Sequence, residues 1–151
     1  KITLGVARLR RGGTEPLALG NLDARRDWGY APEYVEGMWR MMQAPAPGTW
    51  VLATGRTESV RRFTEMAFEA AGLAVEWRGR GDDEVGVDRA TGRTLVRVDP
   101  GLRRPADGDR AGGDAGKARR ELGWRPATPL ERVVAEMVDA DLDRVERGFP
   151  C

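Results

Sequence analysis

The side chains of this chain that can do chemistry are concentrated at arginine-bearing turns. Arg25 and Arg26 follow a short run of strand-forming residues, Pro16 to Leu19, and the turn pair Gly20-Asn21; Asp23 and Asp27 flank them, and Trp28 comes next. A guanidinium fixed in such a loop grips phosphate oxygens as a planar, bidentate fork. Arg61 and Arg62 stand in the first turn of a predicted helix, where the macrodipole disfavours positive charge by some tenths of a kcal/mol. A bound anion sharing that helix start would account for Arg61. Arg103 and Arg104 follow the turn Asp99-Pro100-Gly101. If Arg26, Arg61 and Arg104 converge they hold a diphosphate, each charge-assisted bond contributing roughly 1.5–3 kcal/mol. The residues alone also allow solvated arginine clusters at surface turns.

Other chemistries are excluded by what the chain lacks. It has no histidine and one cysteine, Cys151, so no Ser/His/Asp or Cys/His nucleophile set, internal disulfide or zinc site is expected. Gly79-Arg80-Gly81 runs into acids without a helix-opening glycine, and Gly112 to Lys117 has the wrong spacing for a P-loop. Nothing places a carboxylate pair across a substrate. With 25 basic and 24 acidic residues there is no global field to attract nucleic acid or a membrane. Neither an unbroken apolar span nor a signal-peptide pattern occurs. A cytoplasmic protein is expected, with no metal, no nucleic-acid partner and no membrane partner.

The elements that must position these arginines are legible from periodicity and caps. The length, 151 residues, is that of one domain. Ile2, Val6 and Leu9 fall at helical intervals up to Gly12-Gly13, which predicts the end of a helix that begins upstream and, with Lys1 first, a fragment. Pro16 to Leu19 reads as a strand. Pro32 opens a helix whose stripe of Tyr34, Val35, Met38, Trp39 and Met42 is predicted to be core. Trp50 to Ala53 reads as a strand buried on both faces. Ser59 caps a helix with Val60, Phe63, Ala67 and Ala70 inward and Gly72 ending it, and Val75-Glu76-Trp77 is a strand, so 50–77 is predicted to be a β-α-β unit with parallel strands. Arg78 to Arg93, including Glu84, is a loop or hairpin before the strand Thr94 to Val98. Asp114 caps a short helix to Leu122, ended by Gly123, with Trp124 left to pack. Thr128-Pro129-Leu130-Glu131 predicts a capping box for a last helix with Leu130, Val133, Val134, Met137, Val138, Leu142 and Val145 on one face. The fold class is α/β, short strands with packed helices.

The stretch GNLDARRDWGYAPEYVEGMWRMMQ, from Gly20 to Gln43, closely resembles the segment that opens the sugar-nucleotide lobe of the GDP-mannose 4,6-dehydratases, which are extended short-chain dehydrogenase/reductases. Val51 to Gly55 with Ser59 to Phe63, Val98-Asp99-Pro100 with Arg104-Pro105, and Gly113 to Ala118 with Leu122 to Pro126 are similar to further family segments. The resemblance implies that 1–151 is the C-terminal, substrate-binding lobe, with the N-terminal Rossmann part missing. It implies GDP-mannose as substrate, NADP held by the Rossmann part, and conversion to GDP-4-dehydro-6-deoxymannose by oxidation, dehydration and re-reduction in a homo-oligomer. The family's catalytic Thr, Glu and Tyr/Lys groups and its cofactor residues belong to that part, so none is expected here and the chain alone should be inactive. What carries over is binding: Arg26 and Arg104 as pyrophosphate ligands, with Asn21, Arg61 and Lys1 near the nucleotide. The chain departs from the family at Tyr30, where histidine is usual, at Leu102-Arg103, where aromatics are, and at Ala106-Asp107-Gly108, where Thr-Glu-Val is. Two alternatives stand beside this reading: a related nucleotide-sugar dehydratase or reductase, and a truncated interaction module whose arginines bind nothing specific.

Overall fold

The computed structural model describes residues 1–103 and 112–148. Its elements are α1 (Ile2–Arg10), β1 (Leu17–Leu19), β2 (Arg25–Asp27), α2 (Ala31–Met42), β3 (Thr57–Ser59), α3 (Val60–Ala70), β4 (Val75–Arg78), β5 (Val85–Asp88), β6 (Thr94–Val98), α4 (Gly116–Glu121) and α5 (Leu130–Glu146). No helix among the described residues is long and apolar enough to cross a membrane. By contact the chain divides into two compact units, one built on 1–24, 59–103 and 134–148, the other on 25–58 and 112–133 of the described residues.

The first unit carries a four-stranded mixed sheet in the order β1-β6-β5-β4. β1 runs parallel to β6, with Leu17, Ala18 and Leu19 opposite Val96, Arg97 and Val98. β5 is antiparallel to both β6 and β4, so 75–98 is a meander. Asp88 shapes its second turn: the Thr91 hydroxyl donates to Asp88 Oδ2 at 2.6 Å and Gly92 takes φ +72°. Leu17, Leu19, Leu95, Val96 and Val98 are buried, as are Val6, Phe63, Ala67, Phe68, Val134 and Val138. α1 packs on α3. Ser59 caps α3 as expected, its Oγ accepting from Arg62 N at 3.0 Å.

The second unit holds the two-stranded sheet of β2 with β3 and a small core on Trp124, 1% exposed, with Ala115 and Ala118 and with Tyr34, Trp50, Leu52 and Leu122 packed against it. α2 enters this core through Gly37, where a Cβ would lie 2.7 Å from Leu52 Cδ1 and 2.9 Å from Trp124 Nε1. The close approach requires glycine. Trp124 Nε1 also donates to the Glu33 backbone carbonyl at 2.6 Å. Asp114 Oδ1 accepts from Gly116 N at 2.7 Å, the expected start of α4.

Four sequence expectations are corrected. Of the stripe on α2, Tyr34 packs on the Trp124 core as expected, but Val35, Met38, Trp39 and Met42 are exposed, because α2 packs through its Gly37-bearing side. Residues 50–53 belong to no strand. The parallel β-α-β unit is therefore absent; β3 precedes α3 and pairs with β2, whereas β4 lies antiparallel to β5. The Thr128 hydroxyl, just before α5, donates to Glu33 Oε1 at 2.8 Å. Ala70 and Met137 are also exposed, where inward positions were expected.

Candidate functional site

The carboxyl ends of the parallel pair β1 and β6 bring two of the sequence-predicted turns together. Asp99 N donates to Leu19 O at 2.7 Å, which holds the exit of β6 against the exit of β1. One residue on, Gly20 lies so close to the following loop that a Cβ there would sit 2.6 Å from Leu102 O. Only glycine allows this approach, so the Gly20-Asn21 turn is fixed against the backbone that leads into Arg103 and Arg104. In open α/β sheets the space beyond the carboxyl ends of the strands is where ligands bind.

Asn21 shapes the turn locally: its Oδ1 accepts from Asp23 N at 3.0 Å. The start of α3 is tied to the same turn, since Val60 N donates to Ala24 O at 3.0 Å and Arg61 N to Leu22 O at 2.8 Å. With Arg62 N on Ser59 Oγ, the first three amides of α3 have partners within the protein. The idea that an anion shares this helix end with Arg61 is thereby corrected, because those amides are already engaged.

Arg61 projects from that helix start into a cluster of acids. Its Nε and Nη2 donate to Asp23 Oδ1 at 3.3 and 3.0 Å, Nη2 donates to Glu84 Oε2 at 3.1 Å, and Nη1 donates to Glu84 Oε1. The guanidinium lies 4.9 Å from the centre of the Trp77 ring, whose Nε1 donates to Glu65 Oε1 at 2.9 Å. The Glu84 hydrogen bond outweighs partial burial and, with Asp23, holds the Arg61 pKa above its ordinary value. Beside this cluster Arg103 is ion-paired with Asp82. Together Gly20, Asn21, Asp23, Gly81, Glu84 and Arg103 line a hollow of about 50 Å³. Asn21 and Arg61 thus meet at one place in the first unit. Arg104, with Ala106-Asp107-Gly108, lies outside the described residues.

Lys1 lines a different and much larger cavity, about 640 Å³, with Leu4, Arg8, Leu17 and Val145. Arg26 belongs to the second unit, where its Nη1 donates to Arg25 O at 2.8 Å. The residues beside it are structural. Asp27 Oδ1 accepts from Thr54 N at 2.9 Å and Thr54 Oγ1 at 2.6 Å, its Oδ2 accepts from Gly55 N at 2.9 Å, and Trp28 Nε1 donates to Glu58 O at 3.3 Å.

Sequence reasoning missed Asp23 and Glu84 as partners of Arg61. Asp23 had a signal, lying two residues beyond Asn21 in the same turn. Glu84 had none, because the β4–β5 connection alone brings it across. Glu33 was missed too. Burial works to raise its pKa, but hydrogen bonds from Ala127 and Thr128 and the charge of Arg56 outweigh it and hold the carboxyl below the ordinary glutamate range.

Among the described residues, the β2–α2 and β3–α3 turns offer no cradle for a dinucleotide. At β2–α2 the only glycine is Gly29, where a Cβ would meet the Tyr34 ring at 2.2 Å; at β3–α3 the turn is the Ser59 cap. A pyrophosphate needs open glycine backbone at such a turn.

The family model described as GDP-mannose 4,6 dehydratase matches residues 1–137 of the chain. A GDP-mannose 4,6-dehydratase of Sinorhizobium fredii is 54% identical over 142 residues, 94% of this chain and 40% of the relative. The GDP-mannose 4,6 dehydratase of Drosophila melanogaster is 45% identical over 148 residues, 98% of this chain and 38% of the relative. The chain thus spans about two fifths of the length of the curated relatives it matches. Among solved structures, RMD from Pseudomonas aeruginosa complexed with NADPH has the same fold, with a TM-score of 0.73 at 16% identity over 95% of this chain and 41% of that one. The fold is the α/β fold of the extended short-chain dehydrogenase/reductases.

Proposed function

The chain belongs to the GDP-mannose 4,6-dehydratase family, and on that premise we propose that it is the sugar-nucleotide-binding part of a GDP-mannose 4,6-dehydratase. The complete protein converts GDP-mannose to GDP-4-dehydro-6-deoxymannose with NADP, as a cytoplasmic homo-oligomer. The observation that carries the reading is the juxtaposition of the Gly20-Asn21 turn with the Leu102-Arg103 loop, beside Arg61, at the carboxyl ends of β1 and β6. Asn21 and Arg61 serve the GDP diphosphate there, and Arg104 is assigned to the pyrophosphate by its place in the family's motifs. Because Arg61 holds two carboxylates, an arriving diphosphate competes with Asp23 and Glu84 for it. Arg26 as a pyrophosphate ligand, and Lys1 near the nucleotide, rest on their place in the family's motifs. The residues described here do not fit NADP, so the cofactor belongs to the part of the relatives that this chain does not span. The chain alone is expected to bind and not to catalyse.

Isothermal titration of GDP against the chain tests this. Binding is expected, weakened about 10-fold or more in Arg104→Ala and in Asn21→Ala, since each lost hydrogen bond to a charged group is worth roughly 1.5–3 kcal/mol. Heats from Arg26→Ala equal to those of the unaltered chain would remove Arg26 from the ligand set. Absence of GDP binding in the chain joined to its complementary part would sink the reading.

A further inference from the structure

The connection between β4 and β5 is dense in charge: Arg80, Asp82, Asp83 and Glu84 follow Gly79, with Gly81 among them. It is exposed from Gly79 to Asp83. Gly79 and Gly81 take φ +80° and +64°, which lets the chain reverse within a few residues. The acids of this turn reach the guanidiniums beside the carboxyl ends of β1 and β6. Glu84 Oε2 accepts from Arg61 Nη2 at 3.1 Å, and Asp82 is ion-paired with Arg103. In the unliganded chain one acidic turn thus holds Arg61 and Arg103 alike.

The two pairs differ in what it costs to break them. The Arg61 and Glu84 side chains are 24 and 13% exposed, whereas those of Arg103 and Asp82 are 47 and 54% exposed. A solvated pair is held weakly because water and salt already screen it, but breaking a mostly buried pair strands a charge. Arg103 is therefore the guanidinium that is released readily. Its backbone stays in place. Leu102 N donates to Asp99 O at 3.0 Å, Arg103 N donates to Pro100 O at 3.1 Å, and Leu102 O lies against Gly20. Release is a side-chain rotation about a fixed point. That point is on the hollow lined by Gly20, Asn21 and Asp23 and by Gly81 and Glu84 of the acidic turn.

We propose that Arg103 is a further phosphate ligand of this site, and that Asp82 stands in for the phosphate until a ligand arrives. A carboxylate and a phosphate offer a guanidinium the same kind of paired oxygens, so the diphosphate takes Arg103 from Asp82 by exchanging one acceptor for another. Asp82 thereby sets a threshold: a nucleoside diphosphate displaces it, and a nucleoside without phosphate does not. The identity of the ligand rests on the nucleotide reading above; the Asp82–Arg103 pair does not.

The test is isothermal titration of GDP into this chain and its variants, with the Arg103 Nε–Hε signal followed by NMR. Arg103→Ala should weaken GDP about 10-fold, and Arg103→Lys, which keeps the charge and loses the fork, should fall between. Asp82→Asn should tighten GDP about 2–5-fold. Asp83→Asn, which removes a charge from the same turn but not the partner of Arg103, should change it less. The Arg103 signal should shift when GDP is added and stay in place when guanosine is added. Melting temperatures of the variants should stay within about 1–2 °C of the unaltered chain; if Arg103→Ala does not fold, Arg103→Lys and the NMR signal decide. GDP bound equally by the unaltered chain and Arg103→Ala overturns the proposal, as does an Arg103 signal unmoved at saturation. Tightening by Asp82→Asn that persists in the double variant with Arg103→Ala also overturns it, because the gain is then one of general charge. Each of these outcomes leaves the nucleotide reading standing, since GDP is bound. GDP bound by Asp82→Asn and not by the unaltered chain supports the exchange. Binding by neither overturns it, and the nucleotide reading is then decided separately by the chain joined to its complementary part.

Discussion

At Arg61 one guanidinium answers two carboxylates, and their unequal exposure decides what each contributes. The Glu84 side chain is 13% exposed and Asp23 is 80% exposed, against 24% for Arg61. A largely solvated carboxylate loses little when its partner goes, whereas Glu84 would be left as a mostly buried, unpaired charge. Arg61→Met should therefore destabilise the chain by about 2–3 kcal/mol, read from chemical denaturation, and Glu84→Gln should offset much of that loss in the double variant. Glu84→Gln alone should tighten GDP binding a few-fold, because it removes a competitor for the guanidinium. Glu33 gives a separate, pH-dependent case. Its Oε1 accepts from Ala127 N, Thr128 N and Thr128 Oγ1 at 2.8, 2.9 and 2.8 Å, and its pKa is lowered in the folded state. A lowered carboxylate pKa gives stability that is fully present above the unfolded value, about 4.3, and is lost as pH falls through the lower, folded value. Glu33→Gln should cost about 2 kcal/mol at neutral pH and flatten the acid limb of the unfolding curve; an unchanged acid limb would refute the role given to this carboxylate.

At the scale of elements, α2 separates what a sequence states from what it leaves open. Its apolar periodicity is real, but periodicity reports that a face is apolar and not which body covers it. The side that this chain itself covers is marked by Gly37, a residue that periodicity disregards. Gly37→Val should cost about 1–3 kcal/mol through overpacking against Leu52 and Trp124. Met42→Ala, on the exposed side, should stay within about 0.5 kcal/mol in the same thermal melts of the chain alone. The same limit explains Trp50 to Ala53: composition marks it as strand material, but strand state requires a neighbour. Elements with local instructions were legible. The Ser59 cap set α3, Asp114 and Gly123 bracketed α4, and the run of apolar positions on α5 included the buried Val133, Val134 and Val138. The site was legible to the extent that Asn21 and Arg61 sit on turns next to strand and helix starts. The acids that neutralise Arg61 were not, because Glu84 reaches it only through the tertiary register of the β4–β5 hairpin.

For the whole molecule, charge and exposed apolar surface act together on association. The chain carries 25 basic and 24 acidic residues and no histidine, a formal net charge of +1 at pH 7. Histidine, the side chain that ordinarily changes charge between about pH 5.5 and 7, is absent, and Glu33, lowered in the fold, does not enter that window. Electrostatic repulsion between copies is therefore weak and nearly constant across it, and the α2 stripe is left to drive association by burial of apolar surface. Light scattering of the chain alone should show concentration-dependent association of nearly the same strength at pH 5.5 and pH 7. Because the driving contact is apolar, raising sodium chloride from 0.05 to about 0.5 M should leave it unchanged or strengthen it, whereas ion pairs between copies would weaken as the screening length shortens. Trp39→Glu places a charge within the stripe and should return the chain toward monomer at both pH values. Association that falls steeply with salt, or that survives Trp39→Glu, would mean that charged surface and not the α2 face brings the copies together.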